Sequence, residues 1–253
     1  MIDVEIRGPV AVVHLRHGKA NALDLEFCTA LVERLEQLRL SSAGSVVLTG
    51  QGHIFSAGVD LLRVLNDGPA YLERFLPALT KLFETVFCFP KPVVAAINGH
   101  AIAGGCVLAC AADHRIMALD SGRIGVTELL VGVPFPAIAL EIMRFAAAPQ
   151  RFQALVYSGA TLAPEEAVTN GLVQTTTDSA DLMDRAVATA GTLAALAPEA
   201  FEHSKNQICE PVMLRLRESG PRFDAALQEI WAAPKTLASI RNYAARTFKK
   251  SEK

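Results

Sequence analysis

The chain has little imbalance of charge: 24 basic side chains stand against 26 acidic ones, a formal net of −2. Nothing in that balance recruits a polyanion. No basic block or aromatic-interleaved basic stripe appears, apart from Arg246, Lys249 and Lys250, so nucleic acid is not an expected partner. Long apolar runs are missing too. None approaches the roughly 18 to 20 residues that span a bilayer. The opening MIDVEIRGPVAVVHL alternates like a strand where a secretory signal would carry an apolar core. A soluble, cytoplasmic protein with no membrane partner is the expectation. Cysteine is sparse and odd in number, at Cys28, Cys88, Cys106, Cys110 and Cys209. Cys106 and Cys110 stand four apart on an expected helix, but no further His or Cys pair completes a zinc spacing. That pattern points to buried, reduced thiols and no metal. Repetition at a solenoid period is absent, as is any long linker.

What is present is apolar material, 51% of 253 residues, enough to bury a substantial core as one large domain or two. Residues 4–6 and 10–15 read as two strands around Arg7-Gly8-Pro9, and Asp24 is suited to cap a helix over 25–40. Cys28, Leu31, Leu35 and Leu38 give that helix one buried face. A strand at 45–49 follows. Residues 61–87 have helical period, with a break expected at Asn66-Asp67-Gly68-Pro69 that would make a loop over a pocket. Further strands are expected at 92–97, 114–118 and 172–176, a short extended piece at 123–126, and helices at 137–145, 150–157 and 164–169. From 178 onward the chain is almost all helical, with segments at 199–209, 219–231 and 234–246.

Two stretches stand out. Pro92 to Ile97 is an apolar, β-branched run of the kind buried in a parallel sheet. Asn98-Gly99 then turns, and Ala103, Gly104 and Gly105 lead into a helix expected at 104–112. Small residues at a helix start leave the first amides open to a ligand oxygen. The second stretch repeats the plan: the strand at 45–49, a turn at Gly50 and Gly52, then Phe55-Ser56-Ala57-Gly58-Val59-Asp60-Leu61. Two such amides converging on one point would hold a developing oxyanion. Glu128 is a lone carboxylate in an apolar run with Val126, Leu129, Leu130, Val131 and Val133. Desolvation there raises a carboxyl toward neutrality, as suits a base that must return its proton.

With both stretches in view, the chain resembles the crotonase (enoyl-CoA hydratase/isomerase) superfamily, whose members carry FSAGxDL-like and NGxxxxGG-like segments. The resemblance implies an α/β fold, a crotonase-like (ClpP/crotonase) spiral of repeated ββα units over 1–195, with a helical trimerisation region over 196–253. It implies an acyl-CoA thioester as substrate, with coenzyme A part of the substrate and no separate cofactor. The amides at Ala57 and Gly104 would hold the thioester carbonyl, and Glu128 would be the catalytic acid–base. Ala20, Ser56, Gly58, Asp60, Leu61, Gly105, Val107, Pro134 and Phe135 would contact substrate. Homotrimers, often paired into hexamers, are the family's assemblies, and in them the C-terminal helices pack on a neighbour. Family hydratases carry a second glutamate just after the central glycines, where this chain has Val107. A 1,3-proton shift needs only one base, so the chain resembles the single-glutamate Δ3,Δ2-enoyl-CoA isomerases more than the hydratases. A hydratase or other crotonase-type lyase, and a non-catalytic acyl-CoA-binding or scaffold member, are the alternatives. Ser56 with His53 would allow an acyl-enzyme, but no third residue is identifiable. Phe55, Phe75, Leu79, Phe83, Phe135 and Phe145 either line an acyl tunnel or fill the core. Lys249 and Lys250 would sit on a solvated tail or approach the CoA phosphates.

Overall fold

The chain lays down its strands in a repeating order. β1 (Ile2–Arg7) and β2 (Val10–Leu15) form an antiparallel pair, turning at Gly8 with φ +59°. Helix α1 (Leu25–Leu40) follows, and Asp24 caps it by accepting the Phe27 amide at 2.7 Å. Then come β3 (Ser45–Thr49), β4 (Ile54–Ser56) and α2 (Leu61–Phe87). The same triplet recurs as β5 (Val93–Ile97), β6 (His100–Ile102) and α3 (Gly104–Cys110), and again as β7 (His114–Ala118), β8 (Ile124–Gly125) and α4 (Glu128–Val131). In each turn the first strand joins one sheet and the second joins another. The large sheet runs β1-β2-β3-β5-β7-β9, closed by β9 (Thr175–Thr177), and is parallel beyond β2. The small sheet runs β4-β6-β8, also parallel. This computed structural model describes residues 1–120 and 122–247, and it is the ββα spiral the sequence implies.

Parallel strands need both faces covered, and here they have that cover. β3 and β5 are buried throughout, as their unbroken SVVLT and VVAAI runs require. Their inner face packs with α1, α2 and α3 in the main core. Helix α8 (Leu182–Ala194) covers the outer face through Leu182, Ala186 and Ala190 against Val10, Val47, Val94 and Ile116. Between the third triplet and β9 lie α5 (Ala137–Ala146), α6 (Pro149–Ser158) and α7 (Pro164–Thr169).

Three expectations change. The loop expected at residues 66–69 is a single-residue break inside α2. Gly68 alone leaves helical geometry, at φ 68° and ψ −159°, and Pro69 restarts the helix. Strand β9 begins at Thr175, because Leu172 and Val173 are buried against the core before the sheet edge is reached. The segments expected at 199–209 and 219–231 are one helix, α9 (Pro198–Ala232), which runs through Pro211 and Pro221. Both α9 and α10 (Pro234–Thr247) fold back on their own chain. Lys205 pairs with Asp113 at 2.8 Å, Arg215 with Glu141 at 2.7 Å, and Asp224 accepts the Ala137 amide at 2.9 Å. Among the described residues, no helix is long and apolar enough to cross a membrane.

Candidate active site

A cavity of about 420 Å3 lies where the starts of α2, α3 and α4 meet the C-terminal helices. Its walls are mostly aliphatic and aromatic, and few polar side chains reach it: Asp60, Thr127, Glu128, Tyr243 and Thr247. Glu128 is the first residue of α4, placed by β8 directly upstream, and Gly132 in the left-handed region ends that helix by donating to the Glu128 carbonyl at 3.0 Å. The carboxylate is 9% exposed, and its Oε2 has no hydrogen-bond partner. Burial pushes the carboxyl up to about 8, against the weaker opposing pull of the Glu128 and Thr127 backbone amides. At neutral pH it therefore carries a proton that it can release to a ligand, and its carboxylate form can take one back.

The two small-residue turns meet at the cavity wall, but not in the register expected. The Ala57 amide donates to the Ala20 carbonyl at 3.0 Å and so is not open to a ligand. Two residues on, the chain pairs in parallel with Leu23: the Leu23 amide donates to the Gly58 carbonyl at 2.8 Å, and the Asp60 amide to the Leu23 carbonyl at 3.0 Å. In a parallel bridge the amide of the paired residue, Val59, points to the other side. Across from it, Gly104 opens α3 with no side-chain cap, so its amide is also free for a ligand. The backbones of the two turns touch. A β-carbon on Gly58, at φ +83°, would lie 2.7 Å from the Ile102 carbonyl and 3.1 Å from the Gly104 nitrogen. Val59 thus replaces Ala57 as the second amide of the pair, and the Ala57 side chain contributes to the wall.

The neighbouring Ala103 sits at φ 52° and ψ −125°, a conformation a non-glycine residue seldom adopts. Strain of this kind is held in place by the surrounding fold. Here the Ala103 amide donates to Gly125 at 2.8 Å, and its carbonyl takes the amides of Cys106 and Val107.

The family model described as enoyl-CoA hydratase/isomerase matches residues 5–244. The chain belongs to the enoyl-CoA hydratase/isomerase family. A Thermus thermophilus protein whose name assigns it provisionally to the enoyl-CoA hydratases is 34% identical over 236 residues, 91% of each chain. The mouse protein named enoyl-CoA delta isomerase 1, mitochondrial, is 34% identical over 176 residues, 67% of this chain and 61% of that one. The crystal structure of human mitochondrial delta3-delta2-enoyl-CoA isomerase superposes with a TM-score of 0.94 at 26% identity, covering 98% of each chain.

In this family member the remaining expected site residues divide. Ala20, Asp60, Leu61 and Pro134 reach the cavity beside Ala57, Gly104 and Glu128. Ser56, Gly58, Gly105, Val107 and Phe135 do not. The Ser56 hydroxyl is buried, donating to the Asn21 carbonyl at 2.7 Å and accepting from the Gly58 amide at 3.2 Å, so it is no nucleophile. A β-carbon on Gly105 would lie 2.2 Å from the Ser56 carbonyl, so that glycine serves the packing of α3 on β4. Val107 is fully buried in the main core, and Phe135 faces a different groove. Of the other phenylalanines, Phe83 lines the cavity with Leu79, Phe55 and Phe75 fill the core, and Phe145 is half exposed. Lys249 and Lys250 lie outside the described residues.

Several wall residues carried no signal in the sequence. Ile102 ends the short strand β6, and Thr127 stands just before α4. Trp231, Tyr243 and Thr247 arrive from α9 and α10, and only the fold-back of those helices brings them there.

Proposed function

We propose that this protein is a Δ3,Δ2-enoyl-CoA isomerase, shifting a double bond by a 1,3-proton transfer through an enolate. The acyl-CoA thioester oxygen accepts the amides of Val59 and Gly104, which stabilise the negative charge as it develops. Glu128, as the carboxylate, removes a proton from C2 of a 3-enoyl chain and, as the acid, delivers it to C4. Nothing else is consumed, and the base returns to its starting state. A carboxyl whose proton affinity lies near neutrality suits both halves of that cycle.

One observation carries the choice of isomerisation over hydration: Glu128 is the cavity's one carboxylate with a buried, unpartnered oxygen among the described residues. The other, Asp60, accepts the Arg63 amide at 2.9 Å as the cap of α2. Hydration needs a group to activate water and, as a rule, a second to hold it. At the family's second-glutamate position stands buried Val107. In the same reading the chain works as a trimer or a pair of trimers, which would cover exposed apolar side chains such as Leu130 and Tyr157.

Incubation of trans-3-hexenoyl-CoA and trans-2-hexenoyl-CoA in deuterated water, followed by mass spectrometry, tests the chemistry. Interconversion of the two esters without hydration is expected, and Glu128→Gln should lose at least a thousandfold in turnover while still binding the thioester. Rapid hydration of the 2-enoyl ester would assign the protein to the hydratases. Binding with no deuterium entering at C2 would make it a non-catalytic acyl-CoA binder.

A further inference from the structure

Four of the five cysteines are buried, and Cys88 is the exception. It caps the C-terminus of α2, partly exposed, and lines a hollow of about 270 Å3 together with Glu36 and Arg39 of α1 and Met213 of α9. A second thiol lies beside it. Cys209 and Met213 stand four residues apart on α9, which puts both on the same helix face. The Cys88 sulfur lies 3.6 Å from Met213 Sδ, and the Cys209 sulfur lies 3.7 Å from the carbonyl of Phe87, the residue before Cys88. The end of α2 is thus seated on that face, and the two thiols are hydrogen-bonding neighbours.

Their surroundings differ. Cys88 is reached from the hollow, whereas Cys209 is buried and does not line it. The hydrogen bond from Cys209 holds the Cys88 thiol below the ordinary thiol range; burial and Glu84 oppose it, and the Lys205 and Lys81 ammonium groups add to it. The same hydrogen bond and burial push Cys209 up. One sulfur is therefore the nucleophile toward a reagent from solvent, and the other is its enclosed neighbour. Susceptibility to oxidants follows thiolate character and access. Cys106 and Cys110 make another neighbouring pair, on α3, but both are fully enclosed.

We propose that Cys88 and Cys209 form an oxidative modification site, at which a hydroperoxide converts the two thiols to a disulfide joining α2 to α9. The Cys88 thiolate attacks one peroxide oxygen. An S–O bond forms as the O–O bond breaks, the sulfur gives up two electrons, and the other oxygen leaves with a proton as water or an alcohol. The Cys209 sulfur then attacks the sulfenic acid, its proton goes with the departing hydroxide as water, and an S–S bond replaces the S–O bond. With hydrogen peroxide, two thiols and one peroxide become one disulfide and two waters. The bond would tie together two helices that wall the catalytic cavity, α2 through Leu79 and Phe83 and α9 through Trp231. The site is independent of the acyl-CoA reading.

Hydrogen peroxide in small molar excess over the reduced full chain, followed by alkylation and non-reducing peptide mass spectrometry, tests this. A peptide pair joined through Cys88 and Cys209 is expected, separated again by dithiothreitol. Before oxidation, iodoacetamide should label Cys88 in the native protein at least roughly tenfold faster than Cys209. In Cys209→Ser, Cys88 should accumulate as a sulfenic acid that dimedone traps. In Cys88→Ser, Cys209 should stay a thiol. Cys88 left as a thiol in the wild type, or carried to the sulfinic acid with no link to Cys209, would overturn the proposal, and neither result needs a variant to fold. So would a disulfide between the Cys88 residues of two chains in place of the internal one.

Discussion

Asp60 and Glu128 reach the same cavity from the starts of two helices, α2 and α4, yet they are held in different ways. Asp60 stands just outside its helix, at φ −69° and ψ 88°, where a short side chain folds back onto the Arg63 amide. It is half-buried, and its charge has a hydrogen-bond donor. Glu128 is one position further in, already helical, and its longer side chain runs into an aliphatic space where Oε2 finds no donor. Both positions are favoured by the partial positive charge of a helix start. Burial outweighs that attraction, and the pull of the Glu128 and Thr127 amides, and lifts the proton affinity of Glu128, so the same residue class gives a cap in one place and a carboxyl near neutrality in the other. Position relative to the first helical turn, one residue apart, decides how each is held.

The largest test of this contrast is the pH dependence of kcat/KM with a short 3-enoyl-CoA. The free enzyme must present Glu128 as a carboxylate, so the rate should fall about tenfold per pH unit below about 8, close to a thousandfold by pH 5. A profile flat down to pH 5 would remove Glu128 from the role of base.

Thermal stability offers a smaller readout. The fold holds the Glu128 proton more tightly than an unfolded chain, in which the carboxyl titrates near its ordinary 4.5. The stability linked to that proton is fully present below about 4.5 and is lost as pH rises toward 8. Glu128→Gln keeps the neutral shape at every pH. Its Tm should match wild type near pH 4 and exceed it by several degrees at pH 8.5, measured by calorimetry; a constant difference across that range would contradict the desolvation account. The smallest effect belongs to Asp60→Ala. Loss of the α2 cap should lower stability by about 1 kcal/mol while leaving the bell or slope of the pH profile in place. A shifted profile would mean that the two carboxylates are coupled.

Much of this arrangement was legible in the sequence. Asp24 before the Leu25–Leu40 helix, the buried face of Cys28, Leu31, Leu35 and Leu38, and the β-branched strand ahead of Asn98 are local patterns, and each appears as read. Glu128 stood out because a carboxylate in an aliphatic run has to be desolvated. The Ala57 amide was misassigned for a nonlocal reason. The run Ser56-Ala57-Gly58-Val59 advertises open backbone, but which amide stays open is fixed by pairing with Ala20 and Leu23, more than thirty positions away. Strand β6 went unread because three residues carry no periodicity. The segments at 199–209 and 219–231 were read apart, and packing against α2 and α5 carries one helix through Pro211 and Pro221. Trp231 belonged to an apolar helical stripe whose target only the folded chain reveals.

Ala20 and Thr247 line one cavity from near opposite ends of the described chain, and this gives the site a place in time as well as in space. During synthesis Val59, Gly104 and Glu128 emerge long before α10. Until Trp231, Tyr243 and Thr247 have emerged and docked, the cavity lacks the walls that α9 and α10 supply. Contacts at such separation in sequence are slow to close, so the last helices to be made are the ones that complete the cavity. A chain shortened or nicked ahead of α10 retains the residues of both sheets and of α2, α3 and α4, but it lacks the part of the cavity wall that Tyr243 and Thr247 form.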